Sequence, residues 1–284
     1  MVNPPHIGAV IQVRLGSERL PNKALLPLPF GGGPALLDHV IIRALESKLI
    51  TSVVVATTDT SKDNAIAIFC QAKGITCYRG SEENVLDRFY QAARQKELDV
   101  VVRLTGDNPC IVPAILDKAI TTHISQQNDY TRTEGLPLGT NLEIMAFAAL
   151  EQAHEHATET FEHEHVTPYL YSSKQDFKVA KLDYSNEVNM QLQNVRLTVD
   201  YPSDFAMLSL LLEKVNDLEK SFSFQAMEEV LQKYPWLPEI NSSNSQKKVY
   251  FSEEVELADA KSLLMRYGME KAATVIENYK THES

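Results

Sequence analysis

Residues 7–23 read IGAVIQVRLGSERLPNK, a β-branched apolar run that breaks into a loop holding three cations around one Gly-Ser pair. The alternation that begins with this run decides the fold. Apolar runs recur at SVVVAT (52–57), ITCYR (75–79) and DVVVRLT (99–105), and amphipathic stretches lie between and after them near 35–47, 62–73, 83–96 and 113–125. Short β-branched runs alternating with helical patterns are the signature of a parallel sheet, whose strands need long crossover connections. Four such units in succession predict right-handed crossovers and helices on both faces of the sheet. From about 129 to 200 the rhythm changes, with shorter strand candidates at DYTRT, LEIMAF, FKVAKLDY and VRLTVDY and a helix near 161–172. The expected class is therefore α/β, with a mixed, mainly parallel sheet sandwiched by helices.

Beyond YPSDFAMLSLLLEKV (201–215) the chain reads as helical and more polar, interrupted by the Pro-, Ser- and Asn-rich loop KYPWLPEINSSNSQKK (233–248). Two final amphipathic segments, SEEVELADAKSLLMRYG and MEKAATVIENYK, predict a small helical appendage with carboxylates at its N-terminus, where the helix dipole favours them. The expected division is a main domain over 1–215 and a helical region over 216–284. At 284 residues and 44% hydrophobic, the chain can bury a core of that size.

A net charge of −11, from 27 basic and 38 acidic residues, speaks against a general nucleic-acid or anionic-membrane binder. A phosphate-rich ligand then needs a local basic pocket. Cys70, Cys77 and Cys110 show no CxxC spacing, so buried thiols in a reducing compartment are expected rather than a disulfide framework or a zinc site. The N-terminus shows no basic region followed by a long apolar run, and the sequence has no membrane-length apolar stretch. The expectation is a soluble, cytoplasmic protein.

In open α/β sheets, ligands sit at the carboxyl ends of the strands. The loop after the first strand has the makings of a triphosphate clamp. Gly16 and Ser17 form a compact turn that lets backbone approach phosphate oxygens, Arg14 and Arg19 offer forked donors, and Lys23 offers a point charge. A solvated basic loop is the competing reading, and position directly after an apolar strand favours the clamp. The loop is neither GxxxxGK[ST] nor GxGxxG, which disfavours the common ATPase and dinucleotide-binding readings. The fourth strand runs into Gly106-Asp107 and presents a carboxylate at the sheet rim, where phosphate oxygens and waters can complete the shell of a Mg2+ ion. Asp200, which ends the apolar run VRLTVD, is the candidate second ligand; either aspartate could instead cap a helix. Thr57 and Asp59 follow the second strand and are candidates for polar contacts near a nucleotide base, with a helix cap the equal alternative for Asp59.

The stretch VIQVRLGSERLPNKALLPL (10–28) resembles the opening of the cytidylyltransferases that make CMP-sialic acid and CMP-KDO, and most of all their relatives in spore coat polysaccharide biosynthesis. The pattern Arg-x-Gly-Ser-x-Arg-Leu-Pro-x-Lys is matched at Arg14, Gly16, Ser17, Arg19, Leu20, Pro21 and Lys23. The likeness continues through VVVATTD (53–59), YRGSEENVLDRFYQAA (78–93), VVRLTGDNP (101–109), EHVTPYLY (164–171) and VRLTVDYPSDF (195–205). It implies a nucleotide-diphospho-sugar transferase (GT-A-like) fold, with 1–215 as the nucleotidyltransferase domain. It implies CTP as co-substrate, Mg2+ on Asp107 and Asp200, and transfer of CMP to a sugar or sugar acid with loss of pyrophosphate.

The same resemblance makes Arg88 a phosphate or base contact, although Ser81, Glu83 and Asn84 beside it read physically as a capped helix start. It places His165 and the 135–143 loop near the sugar. In that loop relatives show Pro-x-Gly-x-Asp-x-Glu, and here Asn141 replaces the Asp while Glu143 is retained. An amide donates as well as accepts, so the change accords with a different sugar. His154, His156 and His163 are expected to be solvated, since the spacing is not that of an HExxH zinc site. A homodimer paired through about 130–185 is also implied. The rivals are a nucleotidyltransferase for another base, a glycosyltransferase, for which no DxD follows the fourth strand, and a silent nucleotide-binding subunit. Retention of all three cations and both aspartates argues against the last.

Overall fold

The computed structural model describes residues 4–172, 176–244 and 253–282. They divide into two compact units, Met1–Asn244 and Ser245–Ser284. The first unit opens with the expected alternation: β1 (Ile7–Gln12), α1 (Leu36–Leu45), β2 (Ser52–Thr58), α2 (Asn64–Lys73), β3 (Thr76–Gly80), α3 (Val85–Gln95), β4 (Val100–Thr105) and α4 (Pro113–Ser125). β5 (Tyr130–Glu134), β6 (Glu143–Ala146) and, further on, β7 (Val179–Asp183) complete a seven-stranded sheet in the order β3-β2-β1-β4-β6-β5-β7. β1 to β4 are mutually parallel, β6 is antiparallel to both β4 and β5, and β7 is parallel to β5. Only β6 runs against the rest.

Strand periodicity sends alternate residues into two separate cores. Ala9, Ile11, Val53, Val55, Val102 and Leu104 face one layer, where α1 contributes Leu37 and Val40 and α4 contributes Leu116 and Ile120. Val10, Val54 and Val101 face the other, with Leu86 and Phe89 of α3. Each face is sealed by helices, which is why the central strands read as nearly continuous apolar runs.

The second half departs from expectation in several places. A helix, α5 (Phe147–His156), follows β6, and the single helix expected near 161–172 is two short ones, α6 (Thr160–His165) and α7 (Pro168–Tyr171). Pro168 lacks the N–H that would continue the first, and Val166 between them sits at φ 71°, ψ −54°. VRLTVDY is not a strand. The segment is bent and makes one bridge, Arg196 to Leu138, and it has no place beside β4, which is already flanked by β1 and β6.

After a short turn, α8 (Met190–Gln193), the chain forms α9 (Pro202–Asn216) and α10 (Phe224–Lys233). Residues 216–244, expected to join the C-terminal region, belong to the first unit, since α10 buries Phe224, Met227, Val230 and Leu231 in the same core as Leu208 and Leu211 of α9. The second unit holds the two expected helices, α11 (Glu253–Arg266) and α12 (Glu270–His282), joined at Gly268, whose φ of 69° suits glycine. Residues 245–248 of the expected loop lie outside the described residues.

Candidate active site

The loops after β1 and β4 are drawn together at the sheet rim. Gly106 N–H donates to Gln12 O at 2.9 Å, and a Cβ on Gly106 would lie 2.8 Å from Val13 Cβ, so only glycine fits this approach. The 14–23 loop is anchored from below. Leu15 N–H donates to Oδ1 of buried Asp63 at 2.8 Å, and Thr58 Oγ1 donates to Oδ2 of the same carboxylate. Asn22 in a left-handed conformation (φ 57°) then turns the chain so that Lys23 points back across the rim.

Lys23 is the hub. Its ammonium donates to Asp107 Oδ2 at 2.9 Å, to Asp200 Oδ1 at 3.1 Å and to the carbonyl of Val199 at 2.6 Å. Thr105 Oγ1 fixes the other oxygen of Asp107 at 2.7 Å, and the backbone carbonyl of Asp107 accepts from Val199 N–H at 2.9 Å, which tacks the 195–200 segment onto the loop after β4. Asp200 is also approached by Arg196 at 2.5 Å and by Arg19 at 3.6 Å, and the Arg19 guanidinium lies 4.4 Å from the centre of the Tyr201 ring. Burial alone would push the Lys23 ammonium pKa down, but Asp107 and Asp200 outweigh it and raise it. Burial opposes the charge on Asp200 as well, yet Lys23, Arg196 and Arg19 hold its carboxyl below the usual range. Arg19, Lys23, Asp107 and Asp200 thus come together from three separate stretches of sequence.

The remaining candidates are placed differently. Arg14 is exposed and pairs with Glu82 at 3.2 Å. A Cβ on Gly16 would meet nothing within 4 Å, and Ser17 Oγ accepts from Leu20 N–H at 3.4 Å. Thr57 is buried in β2, and Asp59 is exposed; Thr60, not Asp59, precedes the turn at Ser61–Asp63. Arg88 is buried with its guanidinium on the carbonyls of Ser81 and Glu82, and burial pushes its pKa down. Asn84 caps α3, accepting from Asp87 N–H at 2.9 Å. Arg88 therefore closes the turn that enters α3.

Glu143 begins β6, opposite Arg103 of β4 and Arg132 of β5. It pairs with Arg103, accepts from Tyr130 Oη at 2.5 Å and accepts from Thr167 Oγ1 at 2.7 Å. Burial works against its charge, but Arg103 and the two hydroxyls hold its carboxyl below the ordinary value. Asn141 is exposed, with Nδ2 donating to Leu136 O at 3.3 Å. His165 is half-buried 4.6 Å from the Phe161 ring, and the reversed turn at Val166 returns Thr167 N–H to the His165 carbonyl at 2.8 Å. His154, expected in solvent, is instead half-buried between α3 and α5, stacked 4.1 Å from Tyr90 and 3.0 Å from Asp87. The stacking partner comes from another helix, so local spacing could not reveal it.

Arg196 was not singled out from the sequence, although it lies at the centre and four residues before Asp200. Among the described residues, no group of three or more His, Cys, Asp or Glu side chains is arranged to hold a metal, and none of the helices is long and apolar enough to cross a membrane.

A family model described as cytidylyltransferase matches residues 9–254. The chain belongs to the cytidylyltransferase family. This cytidylyltransferase is thus a nucleotidyltransferase, as the clamp and the motif run led one to expect. It is 39% identical over 245 residues to an uncharacterised protein of Methanocaldococcus jannaschii, covering 86% of this chain and 98% of the relative. It is 34% identical over 213 residues to the spore coat polysaccharide biosynthesis protein SpsF of Bacillus subtilis, covering 73% of the cytidylyltransferase and 87% of that protein. The 8-amino-3,8-dideoxy-manno-octulosonate cytidylyltransferase of Shewanella woodyi is 28% identical over 226 residues, 78% of this chain and 86% of its own. Among solved structures, a cytidylyltransferase from Leptospira borgpetersenii superposes with a TM-score of 0.73 at 28% identity, covering 87% of this chain and all of that one. The mixed, mainly parallel sheet between helices is the fold of these enzymes.

Proposed function

We propose that this cytidylyltransferase transfers CMP from CTP to a hydroxyl of a sugar, a nonulosonic or related sugar acid, with release of pyrophosphate. The observation that carries the reading is the convergence of Lys23, Arg19 and Arg196 on Asp107 and Asp200 at the carboxyl ends of β1 and β4. Lys23 and Arg19 sit on long stems, and the carboxylates remain partly exposed, so these can be re-partnered by a polyphosphate. The bond formed joins the sugar oxygen to the α-phosphorus, and the bond broken is that from the α-phosphorus to the bridging oxygen of the pyrophosphate.

Asp107 and Asp200 suit a hard divalent ion: both offer carboxylate oxygens, and these already converge on one ammonium at 2.9 and 3.1 Å. Bound there, Mg2+ supplies charge neutralisation and orientation of the phosphates. The work of the chain is then positional. Arg14 and Arg19 hold phosphate oxygens in pairs, Gly16 and Ser17 let backbone approach, and Lys23 neutralises developing charge. Thr57, Asp59 and Arg88 shape the side of the site toward the nucleotide, and Asn141, Glu143 and His165 the side toward the sugar. The names of the Bacillus and Shewanella relatives support an acceptor used in polysaccharide biosynthesis and of the octulosonate kind. A cytoplasmic homodimer paired through 130–185 completes the proposal.

The test is pyrophosphate release by the purified protein with Mg2+, offering CTP, UTP, ATP and GTP against sialic, legionaminic, pseudaminic and KDO acids. CTP-selective release that requires one acceptor and disappears in Asp107→Ala is expected. Release driven by another nucleotide, or undiminished in Asp107→Ala, overturns the reading.

A further inference from the structure

Arg196 is the most deeply buried cation at the centre, with a side chain only 7% exposed. Its fork is divided between two carboxylates: Nε donates to Asp204 Oδ1 at 3.0 Å, and the terminal Nη2 donates to Asp200 Oδ2 at 2.5 Å. Asp204, in the first turn of α9, is fully buried and saturated. Its Oδ2 accepts from the backbone N–H groups of Asp200 and Tyr201, both at 2.9 Å, and its Oδ1 also accepts from Asn241 Nδ2 at 3.0 Å and Asn244 Nδ2 at 2.8 Å. Asn241 further donates to the carbonyl of Arg196 at 3.0 Å. Backbone and side chain of Asp200 are thus both fixed from behind by one aspartate and one arginine.

Had Arg196 only to satisfy buried Asp204, its second nitrogen would not need to reach Asp200. We infer that Arg196 is a positioning residue for the reaction: anchored on Asp204, it pins Asp200 Oδ2 and leaves Oδ1 as the oxygen turned toward Asp107 across Lys23. The inference rests on the proposed function, in which those two oxygens receive the metal. A carboxylate held at one oxygen by a rigid planar fork keeps its orientation when the Lys23 ammonium is exchanged for another cation. Lysine cannot replace that fork, since a single ammonium does not offer two divergent donors in a fixed plane.

The experiment measures CTP binding by calorimetry across a Mn2+ titration, for wild type and Arg196→Lys, with melting temperatures alongside. Partners that orient a ligating carboxylate typically change metal affinity by about 10- to 100-fold when altered. Arg196→Lys is expected to raise the Mn2+ half-saturation by about that factor, while CTP affinity at saturating Mn2+ stays within about two-fold of wild type. An unchanged or lowered half-saturation, whatever the melting temperature, overturns the inference and leaves Arg196 as a structural anchor. If Arg196→Lys does not fold, Asp204→Asn is read in the same way: a rise of about three-fold, the loss expected for one weakened hydrogen bond, supports the inference and no change overturns it. Wild type that binds no CTP with Mn2+ overturns the proposed function itself, and this inference with it.

Discussion

Two clusters of carboxylates and cations lie on the same sheet, and they close their hydrogen bonds in different ways. At the start of β6, Glu143 has both oxygens filled by rigid neighbours: Arg103 on one, and the hydroxyls of Tyr130 and Thr167 on the other. At the ends of β1 and β4, Asp107 and Asp200 share the ammonium of Lys23, and Arg19 stands off at 3.6 Å with its side chain 41% exposed. The first cluster is a closed ring that stiffens the pairing of β4, β5 and β6. In the second, Arg196 holds one oxygen of Asp200 from behind, and Lys23 and Arg19, on long stems, are the cations proposed to exchange one set of oxygens for another. On the proposed reading, charge alone does not mark a ligand site; what marks it is charge whose partners can be replaced.

The largest expected effect tests the open cluster. Lys23→Met should lower pyrophosphate release by about 100- to 1000-fold, the usual loss for one preorganised charge contact, with the fold retained by circular dichroism. A variant that unfolds instead would move Lys23 into the class of Glu143. Next comes the closed ring. Glu143→Gln removes one partner of a mostly buried ion pair and should destabilise the protein by about 3 kcal/mol in urea unfolding. Unchanged stability with lost turnover would break the comparison and make Glu143 a sugar contact first.

His123 has no carboxylate in hydrogen-bond contact among the described residues, and it extends the contrast to pH. His123, 2.9 Å from Thr131 Oγ1, is pushed by burial from 6.5 down to about 4. Between those values the unfolded chain binds the proton and the folded chain does not, so stability falls as pH falls through that window. At pH 5 the loss relative to pH 7.5 should be about 2 kcal/mol, and His123→Gln should remove that part of it in urea unfolding. His39, also lowered by burial, adds in the same direction. Glu143 acts in the same direction but in a lower window. Its carboxyl is held below the ordinary 4.5, so its contribution is complete above that value and is lost only as pH falls through the lower folded-state pKa. The smallest effect concerns the exposed pair Arg14–Glu82, where Glu82→Ala should change stability by less than about 1 kcal/mol. A larger change would mean that the loop is braced before any ligand arrives.

The first four strand–helix units were legible because each apolar run and each amphipathic stretch carries its own period. The loops bearing Lys23 and Asp107 were legible because they come directly after such runs. The VRLTVDY segment was not, since its pattern suits a strand while the sheet already fills both flanks of β4 and the segment makes only a bridge to Leu138. Arg196 was hidden for a related reason: its partners include Asn241, 45 residues away, and no local pattern marks a cation for burial beside one. Glu143 stood out as a motif residue, but the ring that occupies it depends on Arg103, 40 residues earlier and adjacent only through the β4–β6 register. The place of 216–244 in the first unit depends on which core α10 covers, and amphipathicity cannot tell one apolar surface from another.

Asp107 and Asp200, gathered by Lys23, are proposed to form a metal–nucleotide site for CTP. Calorimetry of CTP and UTP with wild type and Asp107→Ala, each with and without Mg2+, tests it most directly. CTP binding is expected to exceed UTP binding, to require Mg2+, and to be lost in a folded Asp107→Ala protein. CTP binding of equal strength in Asp107→Ala, or no preference for CTP over UTP, would contradict it.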